Sequence, residues 1–206
     1  MKFIKFPLLI LCAIVLTNCA SSYHEIKPET IVYGSDNTDK NVILEYKYDL
    51  LRKKYTKKEL KKGIKLVAIK ITNHSDRDLI FGNDIKLNYA NGNEIYILDN
   101  ESVFKTLKQK PATYLLYLLL TPVNIFTTET SSNGIPETTN TIPVGLILGP
   151  GLAGGNMIAA STANKKFKTE MLDYKITGTQ IKKGETVYGL IGIETANFDA
   201  IKIEVN

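Results

Sequence analysis

Ile64-Lys65-Leu66-Val67-Ala68-Ile69-Lys70-Ile71-Thr72 is the stretch that decides the fold class of this chain. On an extended backbone Val67, Ile69 and Ile71 fall on one face and Leu66 and Ala68 on the other, because successive side chains alternate across a strand. Apolar residues on both faces, several of them β-branched, predict a strand buried inside a sheet rather than lying at its edge.

Upstream, Val42, Leu44, Tyr46 and Tyr48 alternate with Ile43, Glu45 and Lys47, the pattern of a strand with one buried face. Between the two strands lies a basic run, Arg52-Lys53-Lys54, Lys57-Lys58 and Lys61-Lys62, interleaved with Leu51, Tyr55 and Leu60. It reads either as a solvated helix or connection, or as a surface that rests on anionic lipid head groups. Downstream, residues 73–78 read as a turn, Leu79-Ile80-Phe81 as a short strand, and Gly82-Asn83-Asp84 as a second turn into Ile85, Leu87 and Tyr89. Asn91-Gly92 predicts a tight primed hairpin turn, with residues 95–98 as its return strand. Near the C-terminus, Lys182-Lys183-Gly184-Glu185 turns the chain into a strand over 187–194, and Ile201, Ile203 and Val205 alternate with polar residues.

Both ends of the domain therefore look β, with turns spaced for an antiparallel sandwich. A strand ending in Asn73-His74-Ser75-Asp76 and a late strand preceded by Lys183-Gly184-Glu185 resemble the immunoglobulin-like sandwiches of bacterial envelope lipoproteins. The resemblance implies a mainly β fold, an immunoglobulin-like β-sandwich. A partly helical, Gly-rich apolar insertion at about 101–172 interrupts it, and an α+β description is the alternative.

The insertion is the most distinctive part. Residues 101–110 have a helical pattern with Val103 and Leu107 four apart, and Pro111 suits the first turn of a second helix running through Leu120. Residues 127–141 read as a polar loop. Residues 111–128 and 138–164 carry no charge, and the second stretch reaches the roughly 20 residues that a membrane helix needs. Gly145 with Gly149, and Gly151 with Gly155, have the small-xxx-small spacing that lets helices approach closely, which marks them for helix packing or for contact with a membrane or partner. Pro143, Pro150 and the glycine density argue against a continuous helix, so internal packing against the sandwich competes with insertion in a membrane or docking to a partner.

The first residues point to export. Lys2 and Lys5 precede an uncharged apolar run over 6–16, closed by Leu16-Thr17-Asn18-Cys19. This is the pattern of a signal peptide over 1–18. Its last four residues resemble the lipobox of bacterial lipoproteins, with Asn18 departing from the usual small residue before the cysteine. The resemblance implies lipid attachment at Cys19, a mature chain that starts there, and a flexible tether over 19–40 ahead of a domain at 41–206. Ala20, in place of Asp, implies retention at the outer rather than the inner membrane. Loss of 1–18 removes Cys12 and leaves no pair of thiols for a disulfide, so packing alone must hold the domain. It also lowers the formal charge from +5 to +3, too little to argue for nucleic acid.

Catalytic chemistry has little to build on. His24 lies in the tether and His74 in a turn, where neighbouring Ser75 and Asp76 cannot converge as a triad requires. Gly149-Pro150-Gly151-Leu152-Ala153-Gly154 matches G-x-G-x-x-G, yet the chain after it is too short for the repeated βαβ units that would make the motif bind a dinucleotide. No cysteine–histidine cluster offers a metal site, and no cofactor is implied. The expected role is non-enzymatic: binding or assembly at a membrane reached through the N-terminal lipid, with an envelope protein as partner of the insertion. A carrier of small hydrophobic ligands and a small carboxylate-dependent hydrolase are the alternatives.

Overall fold

A computed structural model describes residues 19–130, 133–134 and 136–206; residues 1–18, read above as a signal peptide, lie outside the described residues. In chain order the elements are a 3-10 turn (Pro28–Thr30), β1 (Ser35–Asp39), β2 (Val42–Lys47), α1 (Lys54–Lys62), β3 (Ile64–Asn73), β4 (Leu79–Ile80), β5 (Ile85–Tyr89), β6 (Ile97–Leu98) and α2 (Asn100–Leu107). There follow a 3-10 helix (Pro111–Leu120), β7 (Ile125–Thr130), β8 (Pro136–Ile142), α3 (Gly145–Asp173), β9 (Gln180–Ile181), β10 (Thr186–Glu194) and β11 (Ile201–Val205). The fold is an α+β mixture with mainly antiparallel sheets. The expected single domain over 41–206 divides instead into a β unit, Tyr23–Lys108 with Asn164–Asn206, and a smaller unit made of 19–22 with Gln109–Ala163.

In the β unit, residues 64–72 lie in β3, the middle strand of an antiparallel sheet ordered β1-β2-β3-β10-β6. Its Val67, Ile69 and Ile71 enter one apolar core with Val42 and Leu44 of β2, Ile191 and Ile193 of β10, and Ile201 and Ile203 of β11. β11 pairs with β5 in a second antiparallel layer, Ile203 opposite Leu87. The other face of β3 and β10 is also covered, which explains its apolar residues. A Cβ on Gly192 would come within 2.2 Å of Val103 Cγ2, so α2 sits against β10 at van der Waals contact. The rings of Tyr23, Tyr55 and Phe104 gather around Phe167 of α3, with centroids 5.1, 5.2 and 5.8 Å from it. Edge-on and tilted ring pairs of this kind add to the burial itself.

Two polar devices close the unit. Fully buried Asn73 ends β3: its amide donates to the carbonyls of Arg77 and Ile181, while its Oδ1 accepts from the Ser75 amide and hydroxyl. At β11 the N–H groups of Ile201, Ile203 and Val205 are taken by side chains: the Tyr46 hydroxyl at 3.1 Å, Asn37 Oδ1 at 2.8 Å and Asp39 Oδ2 at 2.8 Å.

Four expectations need correction. The tether over 19–40 is folded along most of its length: β1 pairs with β2, and Tyr23, Ile26 and Pro28 are buried. Glu170, itself buried, fastens this segment, accepting from the Tyr23 hydroxyl at 2.5 Å and from the amides of Ile26 and Lys27 at 2.7 and 2.8 Å. The segment lacks hydrophobic periodicity because its anchoring is polar. The insertion is narrower than 101–172, since α2 and residues 164–173 of α3 belong to the β unit. The Asn91-Gly92 turn places only Gly92 at positive φ, 88°, as in a turn closed by a glycine bulge rather than the primed type. The return strand stays with β5 only briefly, through Ile95 N–H to Leu87 O, before Ile97 and Leu98 cross to pair with β10. Residues 127–141, read as a loop, largely form the β7–β8 hairpin, whose threonines are compatible with a strand as well as with a loop.

In the smaller unit, Pro111 opens a helix as expected, but of 3-10 type, and Gly145 to Ala163 form a continuous stretch of α3 through Pro150. Tyr114, Tyr117, Ala153 and Ala160 make its small core. Among the described residues no helix is long and apolar enough to cross a membrane.

Candidate lipid-attachment site

Cys19 is half-buried and begins the described chain. The residues after it are held within the smaller unit by side chains that look unremarkable in sequence. Asn156 Oδ1 accepts from the Ala20 amide at 2.5 Å, and Asn156 Nδ2 donates to Leu152 O one turn back on α3. Gln109, 1% exposed, accepts from the Ser21 amide at 3.0 Å through Oε1 and donates to the Ser21 carbonyl at 2.6 Å through Nε2. The Tyr114 hydroxyl donates to the same Oε1 at 3.3 Å, and the Tyr114 and Tyr117 rings stack with centroids 6.3 Å apart. Burial raises the pKa of Tyr117, and the nearby, hydrogen-bonded Cys19 thiol raises it further. Gln109, Asn156 and Tyr117 were missed in the sequence; the one signal for Asn156 is an amide in the middle of the uncharged part of α3, residues 145–164.

The four glycines separate into pairs. A Cβ on Gly145 would sit 2.1 Å from Leu120 O and 2.5 Å from Thr121 O, and one on Gly149 would sit 2.7 Å from Thr121 Oγ1 and 3.3 Å from Tyr117 O. These two let α3 lie directly on the 3-10 backbone, as small residues at a helix crossing do. Gly151 and Gly155 face open space. Around that junction the surface is apolar: Leu116, Leu119, Phe126 and Ile147 are 68%, 75%, 60% and 78% exposed. β7 is exposed along its whole length, so the hairpin presents Ile125 and Ile142, paired across it, to the outside. A lone two-stranded hairpin is at best marginally stable in water.

The remaining candidates are placed without convergence. Residues 149–154 lie inside α3, so the G-x-G-x-x-G run is helix and makes no phosphate-cradling loop. His24 and His74 are exposed, and the Ser75 hydroxyl donates to Asn73 and Arg77 rather than to a histidine. The basic run forms α1 with Tyr55 and Glu59 buried and Gly63 as its left-handed cap. Burial pushes the Glu59 carboxyl up to about 7, against the lowering effect of the Leu66 amide it accepts from. A cleft of about 370 Å³ is lined by Glu25, Lys27, Lys166, Glu170 and Tyr174, among others. There Lys166, 3.0 Å away, holds Glu25 below the usual carboxylate range, and Glu170 is occupied by the three donors already named. Among the described residues no group of three or more His, Cys, Asp or Glu is placed to hold a metal.

The chain matches no protein-family model, no curated protein and no solved structure.

Proposed function

We propose that this chain is a bacterial envelope lipoprotein, held at a membrane by acyl chains on Cys19, with a non-enzymatic binding or assembly role. The observation that carries the reading is Leu16-Thr17-Asn18-Cys19 closing an uncharged apolar run behind Lys2 and Lys5. The polar hold on Ala20 and Ser21 supports it, because it fixes the two residues that follow the cysteine through their backbone amides. Diacylglycerol on sulfur and an amide-linked chain on the new amino group bury many methylenes at about 0.8 kcal/mol each, enough for slow dissociation. Ala20 favours retention at the outer membrane. The β unit reads as an immunoglobulin-like sandwich, supported by two antiparallel layers sharing one core.

The surface of the smaller unit favours binding over the alternatives. Leu116 and Leu119 stand exposed instead of lining an enclosed cavity, which a carrier of hydrophobic ligands would need. For a hydrolase the carboxyls described above are committed to structure: Glu170 to its three donors, Glu25 to Lys166, and Glu59 to a site 2% exposed.

Metabolic labelling with palmitate and intact-mass measurement test the anchor. The parent is expected to start at residue 19 and to carry the acyl masses; Cys19→Ser should carry neither and leave the membrane fraction. A membrane-bound parent with residue 19 bare would overturn the reading.

A further inference from the structure

We infer that the exposed apolar corner of the smaller unit, centred on Leu116, Leu119, Phe126 and Ile147, is a second, protein-borne anchor that inserts into the lipid leaflet holding the acyl chains of Cys19. The inference rests on the lipid-anchor reading and adds to it what the folded chain does at the bilayer.

Four observations converge on this occupant. The corner is built from segments that backbone contacts hold together: Gly145 N–H donates to Val123 O at 2.8 Å, Ile125 pairs with Ile142, and Gly145 and Gly149 lie against Leu120 and Thr121. Its side chains are large, apolar and mostly exposed, an arrangement that marks an interaction surface when the residues are contiguous. Its two segments, 111–128 and 138–164, carry no charge, so entry into lipid takes no ionised side chain out of water.

The fourth observation is the lack of slack. Lipid on Cys19 must enter the bilayer at the sulfur, and Cys19 sits beside Tyr117, one residue from Leu116 and two from Leu119. Ala20 and Ser21 are bonded to Asn156 and Gln109, so no flexible linker separates the acyl chains from the smaller unit. A bilayer reached by those chains is therefore within reach of the leucines of the 3-10 helix. Insertion would be interfacial, since no described helix can span.

The chain contains no tryptophan, so a single introduced indole reports its own surroundings. Leu119→Trp and Ile147→Trp are made in the full-length, acylated protein, with Tyr96→Trp, at a 79% exposed site in the β unit, as reference. Each is reconstituted in vesicles of phosphatidylethanolamine and phosphatidylglycerol in equal parts, with or without bromine on the acyl chains. The indoles at 119 and 147 should emit at shorter wavelength than that at 96 and lose roughly half their intensity to brominated lipid, because interfacial insertion reaches about 5–10 Å into the headgroup and acyl boundary. Emission as red and unquenched as the reference overturns the inference. So does blue-shifted but unquenched emission, which would place the corner against a protein partner or a second copy. Intact mass, read on the same samples, separates the two proposals: a bare residue 19 with quenched indoles removes the lipid and leaves the corner as the anchor.

Discussion

Ser21 and Gln109 grip each other in both directions, backbone N–H to side-chain oxygen at 3.0 Å and side-chain N–H to backbone oxygen at 2.6 Å. Both residues are buried, so neither backbone group has water as a substitute. Gln109→Ala should leave a donor and an acceptor unsatisfied at about 1–3 kcal/mol each. Gln109→Glu should fall between variant and parent, keeping the acceptor and losing the donor. Amide exchange at Ser21 reads the result: fast in Gln109→Ala, protected in the parent.

Gly149 and Gly151 are two residues apart and should respond oppositely. The Cβ of a valine at 149 would press on Thr121 and on the carbonyl of Tyr117, whereas at 151 the Cβ would meet nothing within 4 Å. Gly149→Val is expected to lose exchange protection over 111–123 while β3 and β10 stay protected. Gly151→Val should be protected throughout.

Glu170→Ala removes one acceptor from three donors, the Tyr23 hydroxyl and the amides of Ile26 and Lys27. Stranding a buried donor costs about 1–3 kcal/mol, so the two fully buried ones, on Tyr23 and Ile26, set an expected loss of about 2–6 kcal/mol in urea unfolding. Limited proteolysis should then cut within 23–34 before the rest of the β unit.

Glu59 should make the protein less stable as pH rises. Its carboxyl ionises near 7 when folded against 4.5 in the ordinary case, so the folded state holds the extra proton between those values. Unfolding free energy therefore falls from about pH 4.5 to 7 and levels off above, with about 3 kcal/mol as an upper bound at 1.36 kcal/mol per pH unit. The neighbouring Lys65 works against the shift and Asp49 with it. Glu59→Gln keeps an acceptor for the Leu66 amide and should flatten this part of the profile, being more stable than the parent at pH 8 and no more stable at pH 4.

The sequence made the β unit legible wherever burial was periodic. Both faces of β3 are apolar because both are covered, and the turns at 73–78 and 182–185 follow from residue types that turn without tertiary help. It was opaque wherever polar groups do the holding. Tyr23, Ile26 and β1 are fixed by Glu170 and by pairing with β2, and no pattern within 19–40 announces partners more than a hundred residues away. Likewise the glycine spacing marked four positions, yet only the packing tells that Gly145 and Gly149 touch backbone and Gly151 and Gly155 do not.

The N–H groups along β11 are met by Tyr46, Asn37 and Asp39 rather than by another strand. Extended segments from stray polypeptides therefore find those three N–H groups already taken, which works against edge-to-edge pairing along that border. Three polar side chains so placed make that border a poor template for a further strand.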